Sequence, residues 1–174
     1  MKKLIIRAAN EEDYPQIYAI NTDAFGQADE SNLIALLKKN SNFIAELSLV
    51  GLIDNQIVAY ILYTKIEIIN DLKESNRSLA LAPMAVSTKF QKQNLGSQLI
   101  KHSLEKVAEL GFESVIVLGH EKYYPKFGFV AASKWNIKAP FDVPDNVFMA
   151  LEINNGSLNK TSGVVKYPTE FNIV

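Results

Sequence analysis

The chain has no cysteine, which excludes disulfides, a thiol nucleophile and thiolate zinc sites together. Histidine is almost absent as well: His102 and His120 are the only two, and neither stands in a nucleophile-elbow or metal-ligand context. Long hydrophobic runs are missing. The longest, Ile57 to Tyr63, has seven residues against the ~20 a membrane helix needs, and Arg7 and Asn10 interrupt any signal-like start. A soluble, cytoplasmic protein with no membrane partner is expected. Neither sign of charge is in excess: the net charge is −1 and the lysines are scattered, so the footprint of a nucleic-acid binder is lacking. Repeats and low-complexity segments are also lacking. What is present is 174 residues of 48% hydrophobic content, which predicts a single domain around one core.

Leu4 to Ile6 read as a first strand, and Asn10 is placed to cap a helix with Glu11, Glu12 and Asp13 in its first turn. Tyr14, Ile17, Tyr18 and Phe25 give that helix its apolar stripe, and a second helix is expected at Ser31 to Lys39. Phe43 to Val50 and Gln56 to Ile69 read as strands joined through Asp54-Asn55, with Ser78 to Val86 completing an antiparallel meander. Asn70 to Ser78 is a loop. Pro83 cannot donate to a ladder, so it marks either a place where pairing is released or an edge strand. Leu95, Leu99, Ile100, Leu104, Val107 and Ala108 recur at helical spacing until Gly111 stops that helix. Val115 to Leu118 form a strand beside that of Val86, and Val147 to Ile153 complete the sheet. The core therefore covers about residues 5–153, and residues 154–174 read as an irregular tail.

The chemistry is concentrated in Val86 to Leu99, where a strand ends, a polar turn follows and an amphipathic helix begins. Backbone N–H groups and the positive end of the helix dipole, roughly half an elementary charge, would face an anion there, which points to a phosphorylated ligand. No Gly-Lys-Ser/Thr and no G-x-G-x-x-G is present. What remains is Gln-x-x-Asn-x-Gly at residues 91 to 96, preceded by Met84 and Val86. About thirty residues later comes the β-branched run Ser114 to His120, followed by Tyr123-Tyr124-Pro125-Lys126-Phe127-Gly128-Phe129.

Together these segments resemble the GNAT N-acetyltransferase superfamily. Its acetyl-CoA loop reads Gln/Arg-x-x-Gly-x-Gly/Ala after hydrophobic-x-Val, and its second signature is a strand leading to a helix with aromatic-Tyr-x-x-x-Gly-Phe. Asn94 departs from the usual glycine, but asparagine is among the residues that best tolerate a positive φ, and the contact expected there is a backbone N–H. The resemblance covers roughly Ile5 to Ile153. It looks nearest to the small bacterial predicted acetyltransferases, whose C-terminal segments resemble Trp135 to Phe148 and Ser162 to Phe171.

The resemblance implies an α/β GNAT fold: a central mixed, mostly antiparallel sheet flanked by helices and splayed at the acetyl-CoA site. It implies acetyl-CoA as cosubstrate, no metal, and direct attack by an amine on the thioester. The backbone of Gln91, Lys92, Gln93, Asn94, Leu95, Gly96 and Ser97 would hold the pyrophosphate. Met84, Ala85 and Val86 would lie along the pantetheine arm, with Ala85 and Val86 pairing to its amides. Lys89 and Lys92 either help with phosphates or are simply solvated. Tyr124 would be the general acid toward the CoA thiolate. A tyrosine near ~10 and a thiol near ~8.5 make full proton donation uphill by about 2 kcal/mol, so a hydrogen bond to the thiolate suffices. The alternative for Tyr124 is a packed aromatic beside Tyr123 and Phe127.

Family members with a strand carboxylate place it on the strand matching Ser78 to Val86, and that segment has none. The general base is therefore left among Glu30, Glu46, Glu121, His120 and a water relay, with strand alternation directing Glu46 away from the face of Ala45 and Leu47. The leading reading is an acetyl-CoA-dependent N-acetyltransferase, monomeric or homodimeric, whose acceptor is a small-molecule or protein amine. The alternatives are a catalytically silent CoA or acyl-CoA binding module and an interaction domain with no ligand.

Overall fold

The computed structural model describes residues 2–172. Its contacts fall into two compact units, one built from the chain up to Thr64, Ala82–Lys106 and the segment from Thr169 on, the other from Lys65–Leu81 and Val107–Pro168.

The first unit opens with β1 (Ile5–Ala8), a 3-10 turn at Glu11–Asp13, α1 (Tyr14–Phe25) and α2 (Asp29–Leu37). It continues with β2 (Phe43–Ile53), the first part of β3 (Gln56–Ile69), the last part of β4 (Ser75–Val86) and α3 (Leu95–Glu109) as far as Lys106. Strand order here is β1-β2-β3-β4. The link from β2 to β3 is Asp54-Asn55, both left-handed with φ 50° and 65°, the conformation a two-residue hairpin turn requires.

Asn10 starts the 3-10 turn rather than α1 itself, and the three carboxylates lie in that turn. Asp13 accepts the Asn10 N–H at 2.8 Å and two guanidinium bonds from Arg7 at 2.6 and 3.0 Å, which together hold its carboxyl below the usual range. Pro15 suits the first turn of α1, and Gly26, at φ 69°, ends the helix by donating to Thr22 O. Tyr14, Ile17, Ile20, Leu33, Ile34 and Leu37 pack on Val50, Leu52, Tyr60, Leu62 and Ala85. Phe25 leaves the expected stripe and is 43% exposed, while Asn21, one turn beyond Ile17, takes the buried place and donates to Ile17 O at 2.9 Å. The last turn, Thr169–Asn172, also belongs to this unit: Asn40 donates to Glu170 Oε1 at 2.8 Å and Phe171 packs against the same cluster.

The second unit holds the remaining parts of β3 and β4 with β5 (Ser114–Leu118), β6 (Val130–Ala131), β7 (Ile137–Lys138), β8 (Phe148–Glu152) and β9 (Gly163–Lys166). Its strands pair in the order β7-β9-β3-β4-β5-β8-β6, parallel at β4–β5 and β7–β9 and otherwise antiparallel where the register is defined. The turn from β3 to β4 is organised by Asn70, whose Oδ1 accepts the N–H groups of Leu72 and Glu74. β5 lies beside β4 through Leu79 with Val115 and Ala80 with Ile116.

The segment expected to be an irregular tail contains β9, which pairs with β3 from Glu67–Lys166 to Ile69–Val164. Val165 and Leu158 join the core with Phe148, Ala150 and Ile137. Gly163 permits the approach: at φ 122°, an added Cβ would lie 2.0 Å from Ile69 O. No helix among the described residues is long and apolar enough to cross a membrane.

Candidate cofactor cradle and catalytic tyrosine

In the first unit the end of β4 alternates faces. Ala85 is buried in the cluster of α1 and α2, while Val86 packs with Ile53, Val58 and Leu95; Met84 is half-buried. Ser87 donates its N–H to Val58 O at 2.8 Å, and a 3-10 turn at Thr88–Phe90 follows. Gln91 is exposed, yet its side-chain amide donates back to Val86 O at 3.1 Å and so braces the strand end. Gln93 is exposed in the same turn.

Lys92 and Asn94 then adopt left-handed conformations at φ 61° and 63°. Asn94 occupies the conformation its side chain tolerates; Lys92 does so at a cost of about 1–2 kcal/mol. The two turns bring the chain to the start of α3, where Gln98 donates to Asn94 O at 3.2 Å. The N–H groups of Leu95, Gly96 and Ser97 precede that bond and have no intrahelical acceptor. Leu95 is itself a core residue, 5% exposed, so its side chain anchors the cradle while its N–H remains available to an anion. Lys89 and Lys92 are exposed.

Asp23 carries no motif signal in the sequence. It accepts the Thr88 hydroxyl at 2.6 Å and the Thr88 N–H at 3.3 Å, bonds that hold its carboxyl below the usual range. The end of α1 is thereby tied to the segment between β4 and the cradle.

In the second unit, β5 ends at Leu118 and Gly119 donates its N–H to Val147 O at 2.9 Å. Tyr124 stands at the head of a 3-10 turn, Tyr124–Phe127, in place of the helix the signature suggests. Pro125 opens that turn, and Gly128 closes it at φ 97°. The Tyr124 ring lies against the backbone of Gly119, where a Cβ would come within 2.3 Å of Cε2. Tyr123 and Phe129 meet it edge-on at 5.3 and 5.6 Å between ring centroids. Burial, helped by the neighbouring Tyr123, pushes the hydroxyl up to about 12. That hydroxyl makes no hydrogen bond among the described residues. Tyr124 is thus both a packed aromatic and an unengaged, firmly protonated donor. Against a thiol near ~8.5, full proton transfer from such a hydroxyl would be uphill by about 5 kcal/mol.

Gly119 is the residue that sequence reading missed; its signal was a glycine directly after a strand and five positions before the tyrosine. Of the candidate bases, His120 and Glu121 lie just ahead of the Tyr124 turn: His120 O accepts the Tyr124 N–H at 3.3 Å, and His120 Nδ1 is 4.0 Å from Glu121. Glu30, in the first unit, accepts from Gln27 at 3.2 Å. Glu46 does not follow strand alternation. Phe43 pairs with Thr64 and Ser48 with Leu62, so five steps on β2 span two on β3, and both Ala45 and Glu46 face solvent in the resulting bulge.

The description "Acetyltransferase (GNAT) family" belongs to a family model that matches residues 11–129 of this chain. The uncharacterized N-acetyltransferase YjhQ of Escherichia coli K12 is 31% identical over 137 residues, 78% of this chain and 75% of that protein. The uncharacterized N-acetyltransferase YhbS of the same strain is 26% identical over 170 residues, 97% and 99% of the two chains. The crystal structure of Escherichia coli YhbS in complex with CoA has a TM-score of 0.91 at 25% identity, covering 99% of this chain and 93% of that one. A GNAT acetyltransferase from Brucella melitensis, in complex with acetyl-CoA, shares the fold with a TM-score of 0.79 at 22% identity over 98% and 99% of the chains. The family match runs through both the α3 cradle and the Tyr124 turn, and the chain belongs to the GNAT family of N-acetyltransferases.

Proposed function

We propose that the protein moves the acetyl group of acetyl-CoA directly to a primary amine, with no covalent enzyme intermediate. The observation that carries this reading is the cradle: N–H groups of Leu95, Gly96 and Ser97 without intrahelical acceptors, reached through left-handed Lys92 and Asn94. It is supported by the CoA held in the similar YhbS. The cradle backbone would take the pyrophosphate, and the main chain of Ala85 and Val86, beside Met84, the pantetheine amides. Tyr124 would donate a hydrogen bond to sulfur as negative charge arrives there.

Calorimetry with CoA tests the placement. Gly96→Asp introduces a side chain and a like charge where the pyrophosphate is expected, and CoA affinity should fall by about tenfold or more, which is about 1.4 kcal/mol. Undiminished affinity would refute the site. Thiol release from acetyl-CoA, screened across many amines, tests the reaction. Tight CoA binding with no thiol release from any amine would reduce the reading to a silent CoA-binding module.

A further inference from the structure

Residues 154–161 of the second unit form successive tight turns: Ser157 donates to Asn154 O at 3.0 Å, Asn159 to Gly156 O at 3.1 Å and Thr161 to Leu158 O at 3.0 Å. Asn155 and Gly156 are the central pair of the first turn. Gly156 sits at φ 85°, a conformation that side chains rarely adopt, so the turn itself calls for glycine there. The residue before it is an exposed asparagine. Glu152, at the end of β8, grips the turn from below: its two oxygens accept the N–H groups of Gly156 and Leu158, each at 3.0 Å. Leu158 is 2% exposed, seated among Phe148, Ala150, Ile137 and Val165.

We propose that Asn155 is a site of spontaneous deamidation and that the Glu152 carboxylate is the brake on it. The Gly156 nitrogen loses its proton to a solvent base and its electron pair attacks Cγ of Asn155. The new N–Cγ bond closes a five-membered imide while the Asn155 amide nitrogen takes up a proton and leaves as ammonia. Water then opens the imide at either carbonyl, giving aspartate or isoaspartate. One water is consumed and one ammonia released, with no oxidant, metal or enzyme. Glycine at 156 leaves the attacking nitrogen unhindered, which is why the turn creates the hazard it must live with. Glu152 opposes the first step, because a fixed negative charge on that N–H disfavours the amide anion. The product carries a new carboxylate in the turn that Glu152 holds and, in the iso form, one more main-chain carbon ahead of Gly156.

The test is to incubate the purified full-length protein at mildly alkaline pH and follow the peptide containing Asn155 by mass spectrometry, with an isoaspartate assay. Native protein should convert slowly and at Asn155 ahead of its other asparagines. Glu152→Gln should convert several-fold faster, and Asn155→Gln should show no conversion in that peptide. Should Glu152→Gln fold poorly, wild-type and Glu152→Gln chains are both held unfolded in denaturant: the brake needs the folded contact, so the two should then convert at the same rate, and both faster than native protein. Conversion that is equal in native and unfolded chains would overturn the brake. A peptide that stays unmodified in every arm, while other asparagines convert, would overturn the site. None of these readouts depends on acetyl transfer.

Discussion

In the proposed cradle the groups that would meet a ligand are backbone N–H donors, whereas in the Tyr124 turn the group that would do so is one side-chain oxygen. The first arrangement depends on where the chain turns, so its side chains serve the backbone: Gln91 braces Val86 O, Asn94 suits its left-handed φ and the buried Leu95 anchors the helix start. The second depends on what lies under a ring, so its sensitivity is concentrated in Tyr124 and in the absent side chain of Gly119. A backbone site fails when its shape or charge is altered; a side-chain site fails when a single atom is removed or displaced.

The comparison breaks most visibly at Tyr124→Phe, which keeps the packing and deletes the oxygen. We expect kcat to fall by about 10²- to 10⁴-fold with little change in the KM for acetyl-CoA, because the hydroxyl acts chiefly when charge reaches sulfur. Unchanged turnover would leave Tyr124 as packing alone. Gly119→Ala comes next: the new methyl must push the ring away, so kcat should drop by roughly 10²-fold while Tyr124 is still present, with CoA affinity retained. A wild-type rate in that variant would show that the ring position is immaterial.

At the cradle, Lys92→Gly removes a left-handed lysine but adds unfolded-state freedom, so urea denaturation should register a net gain of up to about 1 kcal/mol. CoA affinity should be nearly preserved; a large loss would mean that the Lys92 charge, not the backbone, holds the ligand. The smallest effects are expected from single substitutions of Glu30, Glu46, Glu121 and His120, each below about tenfold in kcat if water relays the proton. The rate with a simple amine should rise with pH as free amine increases. Because the Tyr124 pKa is raised, its proton is retained past ~10 and lost only near about 12, so tyrosine ionisation should produce no falling limb at ~10. A loss of ~10³-fold from any one substitution, with CoA binding intact, would identify that residue as the base.

Much of this was legible because it is local. The Gln91 to Gly96 spacing announces a turn into a helix, and the pair Asp54-Asn55 announces the left-handed hairpin between β2 and β3. The turn from Tyr124 to its close at Gly128 was legible through their spacing. What escaped depends on partners distant in sequence or on breaks in periodicity. β9 is only four residues long and owes its place to β3, which no local pattern reveals. The exposure of Glu46 follows from a bulge in β2 that alternation cannot anticipate. Asp23 became visible only through Thr88, 65 residues away.

The last turn carries a consequence for biosynthesis. Glu170 meets Asn40 across 130 positions, and Phe171 joins the cluster begun by Tyr14 and Ile17. The first unit therefore gains its final piece only after residue 171 has been made, although most of its helices and strands emerge early. Until then a patch on that cluster is uncovered in the nascent chain, and closing so long a loop delays the reward of contacts already in place. Vectorial synthesis and the order of folding are set against each other at this one turn.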